Sequence, residues 1–578
     1  MKRLIETLFR PIREHGFLFL FYILLSWFLL YRTGWNILPR LHYPIFGSYL
    51  LCVAATLLQR IRLGWTVTLC TCLLVFAELI CLTLYGSLFS VRIALLIAET
   101  NTRESSEFLH SLLTRTELWR SLAYTLLFIA AIAIIIWSIR SLMRNLIAVS
   151  MQFGLRLIIL LIVLVSAYPS LQVYKKLVRT FLDQETSVAI NRYGKGFFTP
   201  ATRLAFGLAF NRAAAAETAI LAQTIQHLDG IEVQSRCPLV VLIIGESYNK
   251  HHTPLYEPCE LMTTPHLCRL QQDSSLVAYT DIVSPSNTTS LVLKRMFNLW
   301  TEKDADSWVR HPLFTSVFKQ AGFDVHLLTN QFSLNDNEDF NQMGGTIFNI
   351  PALSRLQYTD RNDSLYEFDE ELIRLMPDTA QLTQRPTLLI VHLMGQHVDY
   401  ASRYPASHEH FTPDSITPRF DTSAARIIPA QYANATLYND SVVSALWDKV
   451  KNLDAVGIYL SDHGEECFDW RPYFERTSEG YLTADIAHYQ FEVPYLFLMS
   501  DRFQENHPEL AQQIRDAKDR PGMNCDVSHV LLYLAGIEIK DYDATLNILS
   551  PEYNLQKRRY IGNHFDYDSL MSTLNLPE

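Results

Sequence analysis

Residues 241–249 read VLIIGESYN, four aliphatic residues followed by a glycine and a lone glutamate. The pattern returns at residues 457–467, GIYLSDHGEEC, where another apolar run ends in acids, now with a histidine among them. A run of aliphatic residues without polar alternation marks a strand covered on both faces, and hence a mainly parallel α/β sheet. Strands of this kind are predicted at 239–244, 325–328, 387–392, 457–460 and 494–499, with helical stretches between them. In such sheets ligands bind at the carboxyl ends of the strands. Glu246, His392, His397, Asp462 and His463 all fall there.

Upstream the composition changes. Apolar runs at 16–31, 43–58, 65–89, 118–139 and 155–171 each approach the ~20 residues that a helix needs to cross a bilayer core. The sequence therefore predicts a five-helix transmembrane domain at 1–171, a helical connector at 172–235 and a soluble α/β domain at 236–578. The first run is too long for a cleaved signal, has no small-residue cleavage site and is followed by further spans. With the amino terminus inside, eight basic residues fall on the cytoplasmic side against six outside, and five spans carry the α/β domain out of the cytoplasm. Residues 90–113 read as an amphipathic helix on the outer membrane surface. In an oxidising compartment Cys259 and Cys268 are placed to close a short loop. The net charge of −10, with no Lys/Arg stripe, gives no basis for nucleic-acid binding.

Carboxylates and an imidazole converging with one position open suit Zn²⁺ or Mn²⁺ in a hydrolytic or transfer site. Taken singly, Glu246 also reads as an acid favoured by a helix N-terminus, and Asp462–His463 as a capping or salt-bridging pair. Residues 281–297, DIVSPSNTTSLVLKRMF, predict a short strand leading through small polar residues into a helix. A hydroxyl at such a helix start, beside a metal, becomes a nucleophile. Thr288, Thr289, Ser286 and Ser290 are the candidates, an ordinary N-cap cluster being the alternative.

GES at 245–247, TTPHL at 263–267, SPSNTTS at 284–290, NQ at 330–331 and EFD at 367–369 occur in this order. HLMGQH at 392–397, RYP at 403–405, YANATLYND at 432–440 and SDHGEE at 461–466 follow. This succession resembles the membrane-bound phosphoethanolamine transferases of Gram-negative bacteria, whose catalytic domain is of the alkaline-phosphatase/sulfatase type. The carboxyl-terminal stretch is closer in appearance to the branch that decorates the lipopolysaccharide core than to the one that modifies lipid A.

The resemblance implies zinc held by Glu246, Thr289, Asp462 and His463, with Thr289 as the nucleophile in preference to Thr288. It places His397 at the phosphoryl group or a second metal, His488 at the edge of the site and Asp369 at the ethanolamine head group. A histidine ten to twelve residues after the Asp-His pair is common in the family. Here that region reads WRPYFERT, with Tyr473 nearest in position, which puts a second zinc site in question. The implied donor is phosphatidylethanolamine and the implied acceptor a lipopolysaccharide or other glycolipid. The implied location is the bacterial inner membrane, with the catalytic domain in the periplasm. A glycerol-phosphate transferase of the teichoic-acid type and a non-catalytic membrane scaffold are the competing readings. A sulfatase nucleophile needs Cys or Ser followed by Pro two and Arg four positions later; around Pro285 the chain has Val283 and Asn287 instead.

Overall fold

The computed structural model describes residues 2–32, 42–85, 88, 116–146, 149–182, 199–234, 237–301, 303–304, 306–331, 346–477, 482–562 and 564–574. The predicted surface helix at 90–113 lies outside them. The chain forms two compact units, Met1–Ala216 and Glu217–Glu578.

The first unit is helical: α1 (Lys2–Glu14), α2 (Gly16–Arg32), α3 (His42–Gln59), α4 (Gly64–Tyr85), α5 (Thr116–Leu146), α6 (Val149–Leu182) and α7, which begins at Pro200 and ends at Gln226. Every predicted span falls on one of these helices. Among the described residues, Gly64–Leu82 and Phe153–Gln172 are long and apolar enough to cross a membrane. The pair α1 and α2, bent by 71°, adds a third if it counts as one span. Phe21, Leu25 and Leu29 of α2 pack on Val75 and Leu79 of α4. One buried ion pair, Arg203 Nε to Glu78 Oε1 at 2.6 Å, ties α7 to α4 within this unit. Its two charges neutralise one another where neither meets water.

The second unit is built on a seven-stranded sheet. Its strands are β1 (Leu239–Gly245), β2 (Leu276–Ala278), β3 (Asp324–Thr329), β4 (Asp360–Arg361), β5 (Thr387–His392), β6 (Ala455–Ser461) and β7 (Tyr495–Met499). Their order is β2-β7-β6-β1-β5-β3-β4. The pairs from β6 to β4 are parallel, while β7 runs antiparallel to both β6 and β2. All five predicted strands are present. β1 shows why its sequence does not alternate. Val240, Leu242 and Ile244 enter the core on one face, while Leu239, Val241 and Ile243 enter the core on the other. Central β1 is thus buried throughout, and only its carboxyl end opens.

All nine cysteines are free thiols, so the predicted loop closure is not made. Cys268 Sγ instead faces Thr264 Oγ1 at 3.7 Å, and Cys259 Sγ faces the Glu257 carbonyl at 3.4 Å.

A candidate metal and nucleophile centre

Glu246 follows β1 and Asp462 follows β6, so the parallel pairing of those two strands sets their carboxylates side by side. Glu246, Asp462 and His463 are fully buried, and each offers one ligand atom within 4.8 Å of the others. His463 Nδ1 donates to the Gly464 carbonyl at 2.9 Å, which turns Nε2 towards the carboxylates. Nε2 then lies 3.0 Å from Asp462 Oδ2 and 3.3 Å from Glu246 Oε1.

Thr289 is the first residue of the helix α8 (Thr289–Phe297), with Thr288 as its N-cap. Its hydroxyl donates to Glu246, 3.0 Å from Oε2, and lies 3.3 Å from His463 Nε2. The structure therefore brings together the four residues expected around the metal. It is the hydroxyl of Thr289, half-buried, that reaches the centre.

The carboxylates accept hydrogen bonds from backbone and neutral polar groups. Asp462 Oδ1 accepts from the amides of Ser247 at 3.0 Å and His463 at 2.7 Å. Its Oδ2 makes no hydrogen bond among the described residues. Glu246 accepts from Ser247 Oγ at 2.8 Å and Gln331 Nε2 at 3.1 Å. Gly395, at φ +50°, lies so close that a Cβ there would meet the Glu246 amide nitrogen at 2.9 Å. Only glycine fits that turn.

The charges are strongly coupled. Burial works against an ionised Glu246, but His463 beside it holds its carboxyl well below the usual range. Burial and the Glu246 charge push Asp462 up. Burial also penalises a charged His463, yet Asp462 and Glu246 offset that penalty and raise it to about 9. A divalent cation held by Glu246, Asp462 and His463 Nε2 would supply the positive charge that the paired carboxylates call for. A buried Glu-Asp-His set with an orphaned carboxylate oxygen and a hydroxyl alongside fits Zn²⁺.

The remaining expected residues are more scattered. His397 follows Gln396, whose amide donates to the Glu246 carbonyl at 3.1 Å. Its Nδ1 has no hydrogen-bond partner among the described residues. Burial, partly opposed by the Glu246 charge, lowers its pKa to about 4, so the ring is neutral. Asp369 is buried, and it accepts from Asn330 Nδ2 and from the amides of Met394 and Gly395, each at 2.9 Å. Those bonds pin the loop that carries Gly395 against Glu246.

His488 belongs to a neighbouring group. Its ring lies 3.7 Å, centroid to centroid, from that of His251, and both rings contact Glu492. Lys250 Nζ lies 2.6 Å from the same carboxylate, and Tyr567 donates to it at 2.7 Å. With an ammonium already on Glu492, the group reads as a structural ion-pair network.

Two charged residues at the centre escaped the sequence reading. Glu465 is fully buried with neither carboxylate oxygen hydrogen-bonded among the described residues, and burial pushes its pKa to about 8. Arg476 extends its guanidinium to 3.7 Å from Glu465 and 4.0 Å from Glu246. The only signal for either was charge within the apolar surroundings of SDHGEE and in WRPYFERT.

A family model described as Sulfatase matches residues 238–537, just over half of the chain. Phosphoethanolamine transferase EptC of Escherichia coli (strain K12) is 26% identical over 509 residues, which cover 86% of this chain and 83% of that protein. The crystal structure of the C-terminal periplasmic domain of EcEptC from Escherichia coli is 28% identical, with a TM-score of 0.50. That match covers 59% of this chain and 96% of the domain. The integral membrane lipooligosaccharide phosphoethanolamine transferase A (EptA) from Neisseria meningitidis matches over 92% of this chain and 97% of its own, with a TM-score of 0.57. At 18% identity that likeness speaks for the fold, membrane unit included. The chain belongs to the sulfatase family, and the curated relatives that it matches over most of its length are named phosphoethanolamine transferases.

Proposed function

We propose that this chain transfers phosphoethanolamine from phosphatidylethanolamine to a lipopolysaccharide acceptor, a core sugar or lipid A, through a covalent Thr289 adduct. The observation that carries the reading is the Thr289 hydroxyl, held by both Glu246 and His463 inside a buried, zinc-compatible ligand set. Glu246, Asp462 and His463, with Thr289 itself, are the residues that would hold the ion. Bound there, zinc would lower the pKa of the Thr289 hydroxyl and polarise a phosphoryl oxygen.

The chain's own residues do the rest. Thr289 Oγ1 attacks phosphorus, and the bond from phosphorus to the diacylglycerol oxygen breaks. The threonine proton passes, by way of Glu246, to that leaving oxygen, so diacylglycerol departs neutral. In the second half, an acceptor hydroxyl, or the oxygen of a singly protonated phosphate, attacks the same phosphorus and yields its proton to Thr289, which leaves as its hydroxyl. The amino end of α8 faces the negative charge that develops on Oγ1 in each half. His397, whose ring is neutral, is assigned to the phosphoryl group, and His488 to the outer edge of the site. Asp369 acts through the loop it pins. Around Pro285 the chain has Val283 where a sulfatase needs its Cys or Ser nucleophile and Asn287 where it needs Arg, which separates this site from sulfate-ester hydrolysis.

Five spans with the amino terminus inside would hold the catalytic unit in the periplasm, within reach of a lipid donor. One zinc site is assigned. Mass spectrometry of surface glycolipids from a bacterium with and without the gene tests the reading. The expected result is a phosphoethanolamine-sized mass increment that disappears with the gene. Identical glycolipid profiles, with the protein expressed in the parent, would overturn it.

A further inference from the structure

Arg476 enters the centre from the segment that follows Phe474–Glu475, a short strand paired with Glu466–Cys467. Its Nη1 lies 2.5 Å from His463 Nε2, the atom that also faces the Thr289 hydroxyl at 3.3 Å. The side chain is 20% exposed, so it is open on one side and enclosed on the others. Two features show that this placement is built. Glu465, whose carboxyl oxygens make no hydrogen bond among the described residues, sits 3.7 Å from Nε and gives the guanidinium a buried carboxyl partner. Gln490 Oε1 accepts from Asn287 Nδ2 and from the Thr477 amide, both at 2.9 Å. The residue after Arg476 and the loop before Thr289 are thus fastened to one side chain.

The charge count gives the guanidinium a task. Glu246, Asp462 and Glu465 bring three carboxylates to the centre. A divalent cation on the first two leaves Glu465 to Arg476, whose outward N–H groups then face whatever stands before Thr289. A phosphodiester brings two non-bridging oxygens sharing one negative charge, and a single metal contact leaves one of them unmatched. A planar guanidinium presents N–H donors in the geometry that a phosphoryl group accepts.

We propose that Arg476 binds the non-bridging phosphoryl oxygen of the donor and of the Thr289 adduct, with Glu465 positioning it. This rests on the transfer function proposed above and names the second positive partner of the phosphoryl group. Arg476 is then a catalytic residue and Glu465 a positioning residue.

The test uses the full-length, zinc-loaded protein in detergent, with inorganic phosphate as the probe in calorimetry, so that it reads out without turnover. Arg476→Ala should weaken phosphate binding by about 10- to 100-fold, the loss expected for a charge-assisted contact. Its zinc content should not change. Arg476→Lys should recover part of the affinity, having charge without the fork. Because Arg476→Ala leaves Glu465 buried and unpaired, the double variant Glu465→Gln/Arg476→Gln serves as the folded control and should show the same loss. In steady-state transfer, Glu465→Gln should raise KM with zinc retained, and Arg476→Lys should restore more activity than Arg476→Ala. Unchanged phosphate affinity in the folded double variant would overturn the assignment, as would loss of zinc from Arg476→Ala with the fold intact. Loss of phosphate binding in a protein that shows no glycolipid transfer would leave Arg476 as the anion site and sink the transfer function alone.

Discussion

Binding of zinc to the metal-free protein should expel a proton, and the site fixes how many. Burial and the Arg476 guanidinium work against a charged His463, but Asp462 and Glu246 outweigh them and raise it to about 9, so at pH 7 its ring is mostly charged. Its Nδ1 proton is committed to the Gly464 carbonyl, and the proton lost must come from Nε2. Glu246 is already ionised and releases nothing. The expectation is at least one proton per zinc near neutrality, from His463, with more to the extent that Asp462, pushed up by burial, is still protonated. Observed affinity should rise at least about tenfold per pH unit towards pH 9. Calorimetric titration of zinc in two buffers of different ionisation enthalpy measures the proton count directly. The same shift acts on stability. A folded pKa above the unfolded value stabilises the metal-free protein below about pH 6.5, and that contribution is lost as pH rises through about 9. The loss amounts to about 3 kcal/mol across this window. With zinc on Nε2 it should vanish. Zero proton release at pH 7, or zinc affinity independent of pH between 6.5 and 8.5, would refute the account of the ligand set.

Two substitutions probe the supports of the centre. A Cβ at Gly464 would stand 2.4 Å from the Tyr489 carbonyl oxygen, so Gly464→Ala must move backbone next to His463. It should cost about 1–3 kcal/mol in chemical denaturation and weaken zinc binding with it; a variant with wild-type stability and affinity would contradict the packing described. Asp369→Asn faces an amide group towards the Met394 and Gly395 amides and should destabilise the protein by about 1–3 kcal/mol, with kcat reduced and zinc retained. A raised KM with unchanged stability would return Asp369 to the ethanolamine head group.

The runs at 239–244, 387–392 and 457–460 were legible because a strand buried on both faces leaves no alternation to confuse with a helix. The edge strands Leu276–Ala278 and Asp360–Arg361 were not, since two or three residues carry no period. Glu246, Asp462 and His463 could be found because parallel strands deliver their carboxyl ends to one place. Thr289 rather than Thr288 needed the resemblance, and the start of α8 then turned the Thr289 hydroxyl into the cluster. Arg476 and Glu465 lay beyond reach. Neither holds a position dictated by strand periodicity, and their meeting depends on the short antiparallel pairing of Phe474–Glu475 with Glu466–Cys467. His488 was placed at the edge of the site by the resemblance alone, and the contacts of its ring are those of the Glu492 network with Lys250 and His251.

The central claim is the covalent adduct on Thr289, and its most direct test is the donor half-reaction without acceptor. Zinc-loaded enzyme incubated with phosphatidylethanolamine should release up to one diacylglycerol per active site and carry phosphoethanolamine on a single tryptic peptide. Fragmentation should place the group on Thr289. Thr289→Ala should lose both burst and adduct while keeping zinc on Glu246, Asp462 and His463. An adduct mapped to Thr288 or Ser290 would contradict the role given to the start of α8, and glycolipid transfer with no adduct on any residue would contradict the covalent mechanism itself.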